Sequence, residues 1–140
     1  MRIIEITTEY YEQVAELWAS EQSIAAACKN DTNQRFAIFL GRNPGLSFAA
    51  FNGGKIAGAV LCGHDSRGAY LYNLTIAEQY QGKGIAEALA QRVLSKLQLL
   101  GICRCHAFIP VEDIPALQFW QEIGFTERTD IKVVSRKIVL

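Results

Sequence analysis

The sequence lacks the charge imbalance and the metal-binding motifs that mark several specialised protein classes. Its 14 basic residues balance its 14 acidic residues, so the formal net charge is zero. Nucleic-acid-binding domains normally carry a basic excess, and we therefore expect no nucleic-acid partner. The chain has two histidines, and its four cysteines form no C-x-x-C pair. Zinc sites are usually built from such residues at short spacings, so we expect no bound metal.

Long apolar runs are also missing. No run approaches the roughly 20 residues that a membrane-spanning helix needs, so we expect no membrane partner. Glu5 interrupts the N-terminal stretch in which a signal peptide would continue its apolar region. The cysteines are scattered, at Cys28, Cys62, Cys103 and Cys105. Scattered cysteines in an apolar-rich chain are typical of reduced, buried thiols, and we expect a cytoplasmic protein.

The composition that is present is typical of an ordinary core-forming domain. Half of the residues are apolar and one fifth are charged, which argues against disorder, collagen and coiled coils. A chain of 140 residues can bury about two thirds of the surface that its unfolded form exposes. That is enough for a core without disulfides or metals, and we expect one domain over residues 1–140.

The first third of the chain predicts a strand followed by two helices. Residues 2–6 alternate weakly as a strand does, and the threonine pair at 7–8 offers a helix N-cap. Apolar residues at helical spacing over 14–18 predict the first helix. A second short helix is expected around 36–40, and the Asn-Pro-Gly sequence at 43–45 should end it.

The rest of the chain predicts a sheet with a crossover helix. Tight turns separate antiparallel strands, and the apolar period then changes to that of a long amphipathic helix. A strand follows this helix, so the strands on either side of it should be parallel. The predicted strands cover residues 46–51, 55–62, 69–76, 102–109 and 131–139, and the predicted helices cover 84–100 and 114–123. The predicted fold class is α+β, with a mixed, mostly antiparallel sheet and helices on both faces.

The glycine-rich segment before the long helix is the clearest candidate for a binding site. Gly82 and Gly84 flank Lys83 directly before the helix begins. The first N–H groups of a helix have no partner inside it and, with the helix dipole, attract anions. Glycines let the backbone approach a ligand, and the lysine adds positive charge. The segment predicts a phosphate or pyrophosphate site, and a purely structural turn is the alternative.

Two common nucleotide-binding motifs do not fit this segment. A Walker A loop requires G-x-x-x-x-G-K-[ST], which is absent. A Rossmann fingerprint would need a third glycine where the chain has Glu87, and it would need a larger parallel sheet. Both readings are therefore disfavoured.

The segment instead resembles the signature [QR]-x-x-G-x-[GA] of the GNAT N-acetyltransferase superfamily, in the form Gln81-x-x-Gly84-x-Ala86. The order of the predicted elements is also similar to that of the family. A second family pattern, N-x-x-A-x-x-[FL]-Y-x-x-x-G-F, is similar to residues 113–125, which read D-x-x-A-x-x-F-W-x-x-x-G-F. The resemblance implies the GNAT fold and an N-acetyltransferase that uses acetyl-CoA as its co-substrate.

The resemblance also implies how acetyl-CoA would be held. Its pyrophosphate would lie on the N–H groups of the loop, and its pantetheine arm would pair with the edge of the preceding strand. The N–H of Ile76 would polarise the thioester carbonyl, and an amine would attack directly, without a covalent enzyme intermediate. The cofactor-binding residues implied in this way are Leu74, Thr75, Ile76, Gln81, Gly82, Lys83, Gly84, Ile85, Ala86, Glu87, Asp113 and Trp120.

Three positions depart from the family pattern. Trp120 stands where the family often has a proton-donating tyrosine, and it is alternatively a wall of the thioester slot or part of the core. Phe108 stands where some relatives have a glutamate base. Asp113 replaces an asparagine beside coenzyme A, and its alternative role is a helix N-cap.

Other residues are candidates for the proton transfers. Tyr72 and Asn73 lie in the signature strand near the expected reaction centre, where Tyr72 could donate a proton or line the acceptor pocket. His106 shares a strand face with Phe108, and it is either a base or a structural histidine held by hydrogen bonds. The turn at 64–67 either binds the acceptor or is simply a polar turn.

The sequence therefore predicts transfer of an acetyl group from acetyl-CoA to a primary amine on a small molecule, a peptide or a protein N-terminus. The alternative is a non-catalytic, CoA-binding GNAT-like module that regulates a partner protein. A homodimer is left open, because many members of the family dimerise.

Overall fold

The computed structural model describes residues 1–19 and 33–139. Short 3-10 turns lie at Thr8–Tyr10 and Glu78–Tyr80. The strands are β1 (Arg2–Glu5), β2 (Phe48–Asn52), β3 (Lys55–His64), β4 (Ala69–Ile76) and β5 (Cys105–Ala107). The helices are α1 (Tyr11–Ala19), α2 (Asn33–Arg42), α3 (Ile85–Leu99) and α4 (Ile114–Glu122).

The strands form one mixed sheet in the order β1-β2-β3-β4-β5. Short turns join β2 to β3 and β3 to β4, so these pairs are antiparallel, as is the pair β1–β2. β4 and β5 are parallel, because α3 carries the chain back along the sheet between them. This arrangement confirms the predicted α+β class with a mixed, mostly antiparallel sheet.

Helices cover both faces of the sheet, because side chains alternate between the faces along each strand. On one face, Ala59 of β3 shares an apolar cluster with Val14 of α1 and Phe36 of α2. On the other face, Leu89 of α3 lies beside Gly58, the neighbouring residue of β3. The prediction of helices on both faces is therefore confirmed.

The predicted element boundaries hold in the middle of the chain and fail near its C-terminal end. β4 covers the predicted residues, but β5 is much shorter than the predicted range 102–109. The strand predicted over 131–139 is wrong, because these described residues form no strand and Ile131, Val134 and Val139 are exposed. β-branched residues favour a strand, but a strand also needs a neighbouring edge that accepts its hydrogen bonds.

The expectations near the N-terminus have different outcomes. Thr7 occupies the N-cap position of the first 3-10 turn, but it does not cap it. Its hydroxyl donates to the Glu9 carboxylate instead, with 3.0 Å between Oγ1 and Oε1. α2 ends before Pro44 and Gly45, as the sequence predicted. The start of the polar stretch predicted before α2, and Cys28, lie outside the described residues.

The described chain divides into two compact units, Met1–Phe108 and Ile109–Leu140. The first unit contains the whole sheet and the helices α1 to α3, and the second contains α4. None of the described helices combines the length and the apolar character that crossing a membrane requires.

The cysteines of the described chain are free thiols. Cys62 is buried, and burial raises the pKa of its thiol to about 12. Burial also raises the pKa of Cys105 to about 11, whereas Cys103 is exposed. The buried Cys62 and the half-buried Cys105 therefore stay protonated and do not act as nucleophiles at neutral pH. No group of three His, Cys, Asp or Glu side chains in residues 1–19 and 33–139 could hold a metal ion.

Gly58 brings β3, β4 and α3 close together. An added Cβ would lie 2.6 Å from Ile76 Cδ1, 3.1 Å from the Thr75 carbonyl oxygen and 3.3 Å from Leu89 Cδ1. The shortest contact is with the end of the flexible Ile76 side chain, which can rotate away, whereas the contact with the Thr75 carbonyl requires the backbone of β4 to shift by a few tenths of an ångström. The glycine therefore allows β4 and α3 to approach β3 closely.

We expect Gly58→Val to lower the free energy of unfolding by about 1–3 kcal/mol, because the side chain must displace Ile76 and the Thr75 carbonyl. Urea denaturation followed by circular dichroism measures this change. Gly54→Ala in the β2–β3 turn is the control, because a Cβ there meets nothing within 4 Å. Equal stability of Gly58→Val and the parent protein would contradict the close packing.

Candidate active site

The loop between β4 and α3 depends on two glycines for its shape. Gly82 and Gly84 have left-handed backbone conformations, with φ of 76° and 78°. Glycine reaches this region without the steric cost that a Cβ adds. An added Cβ at either position would meet nothing within 4 Å, so the constraint is the backbone conformation and not a lack of space. The loop is open around both glycines, and Lys83 between them is exposed.

The main-chain N–H groups of this loop have no acceptor within the described chain. None of the N–H groups of residues 82–87 donates to another described residue. The first bond at the start of α3 runs from the Ala88 N–H to the Gly84 carbonyl, over 3.1 Å. Gly84 occupies the N-cap and has no side chain that could cap the helix. Together with the positive end of the α3 dipole, these N–H groups can bind an anion.

Two side chains hold the loop against the sheet. The Gln81 side chain donates from Nε2 to the carbonyl of Ile76, the last residue of β4, over 3.3 Å. The Asn52 side chain at the end of β2 donates from Nδ2 to the Tyr80 hydroxyl, over 3.2 Å. The resemblance implied that Gln81 contacts the cofactor, and its observed contact gives it the additional role of fixing the loop to the end of β4.

β4 extends beyond its pairing with β5. The parallel pairing ends at Leu71 and Ala107, whereas β4 continues to Ile76. On the other side, the Ala77 N–H donates to the Ala57 carbonyl of β3, over 2.9 Å. Successive residues of a strand direct their N–H groups to opposite edges, so the N–H of Ile76 faces the β5 side. The end of β4 thus presents a strand edge beside the loop.

A bulge interrupts β4 at Asn73. Ala59 of β3 pairs with Thr75, and Leu61 pairs with Tyr72, so β4 has one residue more than β3 between these pairs. Asn73 has a φ of 55°, a left-handed conformation that asparagine adopts more readily than most residues. Bulges often occur beside active sites, where they redirect the chain. The sequence predicted a role for Asn73 but not the bulge, and its only signal was the residue type.

A row of rings crosses β4 and β5 on the face that carries α1 and α2. We define the aromatic row as Tyr70, Tyr72, His106 and Phe108. The centroid of the Tyr70 ring lies 6.3 Å from Tyr72, 5.2 Å from His106 and 5.8 Å from Phe108. Phe39 of α2 packs edge-on against Tyr72, with 5.9 Å between centroids. The sequence analysis named Tyr72 and His106 as candidates for proton transfer and Phe108 as a departure from the family pattern, but it did not name Tyr70, which the strand period of two links to Tyr72.

Tyr72 and His106 differ in their surroundings. Burial raises the pKa of Tyr72 above its ordinary value of 10.0, and Tyr70 and Cys62 add smaller contributions in the same direction. The phenol therefore remains protonated at neutral pH. The His106 imidazole packs against Tyr70 and forms no hydrogen bond with a residue of the described ranges. Its described contacts therefore differ from those of a histidine held by hydrogen bonds.

The turn before β4 is stabilised by its own polar side chains. His64 Nδ1 accepts from the Ser66 N–H over 2.9 Å. Asp65 Oδ1 accepts from the N–H groups of Arg67 and Gly68, over 2.9 and 2.8 Å. The hydrogen bond from Gly68, followed by that from Arg67, lowers the pKa of Asp65. Of the two roles that the sequence left open for this turn, these contacts favour the polar turn.

In the second unit, Asp113 and Trp120 make structural contacts. Asp113 Oδ1 accepts from the Ala116 N–H at the start of α4, over 3.1 Å, and so caps this helix. Trp120 is 7% exposed, and its ring packs against Phe119 and Phe125 with centroid distances of 5.1 and 4.8 Å. These contacts fit the alternative roles of an N-cap and a core residue.

Comparison with known proteins places this geometry in a family. The model of the acetyltransferase (GNAT) family matches residues 3–125. An acetyltransferase of Sodalis glossinidius is 22% identical over 129 residues, which cover 92% of this chain and 89% of that protein.

Solved structures share the fold. An aminoglycoside 6′-N-acetyltransferase from Acinetobacter haemolyticus has a TM-score of 0.75 at 12% identity, over 99% of this chain and 100% of its own. A ribosomal-protein alanine N-acetyltransferase from Escherichia coli has a TM-score of 0.73 at 18% identity, over 91% and 79% of the two chains.

Substitutions of Asp113 separate helix capping from ligand binding. Asp113→Ala removes the cap and should lower the free energy of unfolding by about 1 kcal/mol, whereas Asp113→Ser keeps an acceptor oxygen and should restore most of that stability. Urea denaturation measures stability, and calorimetry measures coenzyme A affinity. We expect both variants to bind coenzyme A as the parent does. A stable Asp113→Ser variant with reduced affinity would show that the carboxylate acts on the ligand.

Proposed function

The chain belongs to the GNAT family of acetyltransferases, and on that premise we propose that it transfers the acetyl group of acetyl-CoA to a primary amine by direct attack in a ternary complex. Holding the amine and the thioester together would supply much of the acceleration, because well-oriented systems reach effective molarities on the order of 10⁵ M or more.

The observation that carries this proposal is the group of main-chain N–H donors at residues 82–87, which have no acceptor within the described chain. A diphosphate brings several anionic oxygens, and donors at the N-terminus of α3 match them in charge and direction. The exposed Lys83 side chain adds positive charge at the same loop. These features fit the middle of acetyl-CoA.

The edge at the end of β4 fits the next part of the ligand. The N–H groups of Leu74 and Ile76 face the β5 side, because the Ala77 N–H donates to β3 and the direction alternates along the strand. The pantetheine arm carries amides that can pair with such an edge as an added strand does. The thioester carbonyl then accepts from the Ile76 N–H, which also stabilises the oxyanion that forms on attack.

The reaction requires two proton transfers. The amine nitrogen attacks the thioester carbon and forms a C–N bond, and the C–S bond then breaks with its electron pair leaving on sulfur. The nitrogen loses one proton, and the sulfur gains one. We assign the donor to Tyr72, whose phenol stays protonated because burial raises its pKa. His106 lies on the neighbouring strand in the aromatic row and is our candidate acceptor of the amine proton.

The bulge places Asn73 between these groups and the edge of β4. We propose that Asn73 positions the end of β4. Its left-handed conformation forms the bulge, and the bulge shifts the pairing of the following residues, Leu74 to Ile76, with β3 by one residue relative to the pairing of Tyr72. The acceptor would therefore approach from the face of the aromatic row while acetyl-CoA occupies the edge.

Release of the coenzyme A thiol tests this function. The protein, acetyl-CoA and a panel of primary amines are mixed, free thiol is titrated, and mass spectrometry identifies the acetylated amine. We expect release that depends on the amine. Binding of acetyl-CoA without release for any amine would favour the non-catalytic regulatory module instead.

Gly84→Val should abolish coenzyme A binding, because a β-branched residue cannot readily adopt the φ of 78° and the loop must change shape. Calorimetry measures the affinity. Gly101→Val is the matched control, since Gly101 has a φ of 77° at the other end of α3 and an added Cβ meets nothing within 4 Å. Both variants should lose similar stability, and only Gly84→Val should lose affinity. Unchanged affinity in Gly84→Val would remove the loop from the site.

Tyr72→Phe should lower kcat by roughly 100-fold without changing coenzyme A affinity, because it removes a proton donor and keeps the ring. Since the pKa of Tyr72 lies above 10.0, loss of its proton should lower kcat of the parent only above about pH 10. Stopped-flow or steady-state pH profiles measure this limb. Tyr10→Phe, whose ring packs on Phe51 elsewhere in the sheet, is the control. A Tyr72→Phe enzyme with parental kcat would exclude the phenol as donor.

A further inference from the structure

The aromatic row forms a continuous surface beside the proposed reaction centre. Tyr70 and Phe108 are nearly parallel, with 23° between ring planes, and Tyr70 and Tyr72 are arranged in the same way. Phe108 is 49% exposed, and the other rings of the row are half-buried. Single exposed apolar residues are common, but a contiguous exposed patch often marks a binding site. Tyr72 packs against the core cluster, so core packing accounts for this ring but not for the exposed Phe108 or for its stacking on Tyr70.

A missing side chain on β3 makes room for the ring that supports the row. An added Cβ on Gly63 would lie 3.1 Å from Cε1 of Phe39. Gly63 pairs with Tyr70, so Phe39 of α2 reaches the sheet beside the row and packs edge-on against Tyr72. The rings are thus held in place from below by the sheet and from one end by α2.

The segments that build this surface carry no acidic side chain. β4, residues 102–108 and α2 contain no aspartate or glutamate, and α2 contributes Arg35 and Arg42. Before β4 the nearest carboxylate along the chain is that of Asp65, which accepts hydrogen bonds within its own turn, and after β4 it is that of the exposed Glu78. A flat apolar group would find rings on these segments, whereas an acceptor with several positive charges would depend on the exposed glutamates of α1, Glu12 and Glu16.

We propose that the acceptor is an arylalkylamine, a primary amine joined by a short alkyl chain to an aromatic ring, and that its ring binds on the aromatic row. This proposal rests on the proposed function, because the amine must reach the same thioester. The acceptor ring packs on Phe108 and Tyr70 in the offset or edge-on arrangements that aromatic pairs prefer. Its ammonium form is attracted by the faces of the neighbouring rings and loses one proton to water to become the neutral amine that attacks.

Tyr72 belongs to the aromatic row and is also the proton donor that we assign to the reaction. It is the last residue of β4 before the bulge, and Ile76, whose N–H we assign to the thioester carbonyl, lies four residues further along the chain. We expect the alkyl chain of an acceptor whose ring contacts Tyr70 and Phe108 to direct its amine toward the end of β4. The new C–N bond forms there, and the ring remains on the row throughout the transfer.

The test compares three primary amines at equal concentration: phenethylamine, butylamine and kanamycin. Initial rates of thiol release give kcat/KM for each amine with the parent protein, Tyr70→Leu, Phe108→Ala and the control Leu99→Ala. Leu99 is 83% exposed at the end of α3 and belongs to no part of the site. Phe108→Ala changes a half-exposed residue, so it remains informative if Tyr70→Leu does not fold.

We expect the parent protein to prefer phenethylamine over butylamine and kanamycin by at least about tenfold in kcat/KM, the effect of burying one ring. Tyr70→Leu and Phe108→Ala should reduce the ratio of phenethylamine to butylamine by a similar factor and bind coenzyme A with parental affinity, and Leu99→Ala should keep the parental ratio. Saturation-transfer NMR with coenzyme A present should show contact of the phenethylamine ring protons with the parent protein.

A preference for kanamycin or butylamine, a parental ratio in both ring variants, or an absence of saturation transfer to the ring would overturn the arylalkylamine proposal. The proposed function would stand in each of these cases if any amine is acetylated. If acetyl-CoA does not bind, or if no amine is acetylated, the proposed function fails, and the arylalkylamine proposal fails with it.

Discussion

Main-chain N–H groups at the start of α3 are the feature on which the candidate site depends. Two left-handed glycines, Gly82 and Gly84, turn the chain so that these donors meet no acceptor in the described chain. The first N–H groups of a helix have no partner inside it, and together with the helix dipole they favour an anion from outside. The strand that leads into the loop and the side chain of Gln81 that fixes it both serve this geometry.

A glycine of β3 allows close packing on each face of the sheet. On the α3 face, Gly58 allows the side chains of Ile76 and Leu89 to pack closely beside β3. On the opposite face, Gly63 allows Phe39 to approach the sheet beside the rings of the aromatic row. A glycine in a strand usually weakens it, but both of these glycines permit contacts that a side chain would prevent.

Features that depend on neighbouring residues in the sequence could be predicted, and features that depend on pairing could not. The glycine loop, the long helix and the middle strands follow from local periodicity and turn residues, and the structure agrees with them. The bulge at Asn73 depends on the register between β3 and β4, which a period of two does not reveal.

The same distinction explains the errors at the two ends of the chain. The pattern over 131–139 favours a strand, but pattern alone does not supply a pairing edge, and Thr7 stands at a cap position while its hydroxyl bonds to Glu9. The centre of the aromatic row, Tyr70, was missed because its importance comes from His106 and Phe108, which are distant in sequence.

The hydrogen bond from the Gln81 side chain makes the two main-chain groups of Ile76 unequal in their ability to bind a ligand. The carbonyl of Ile76 already accepts from the glutamine amide, while its N–H faces the β5 side. A ligand group beside Ile76 can therefore accept a hydrogen bond from its N–H more easily than it can donate one to its carbonyl. If acetyl-CoA lies along this edge as we propose, its pantetheine amides can both donate and accept, whereas its thioester has no N–H and can only accept, so this last position would distinguish the reactive end of acetyl-CoA from the rest of its arm.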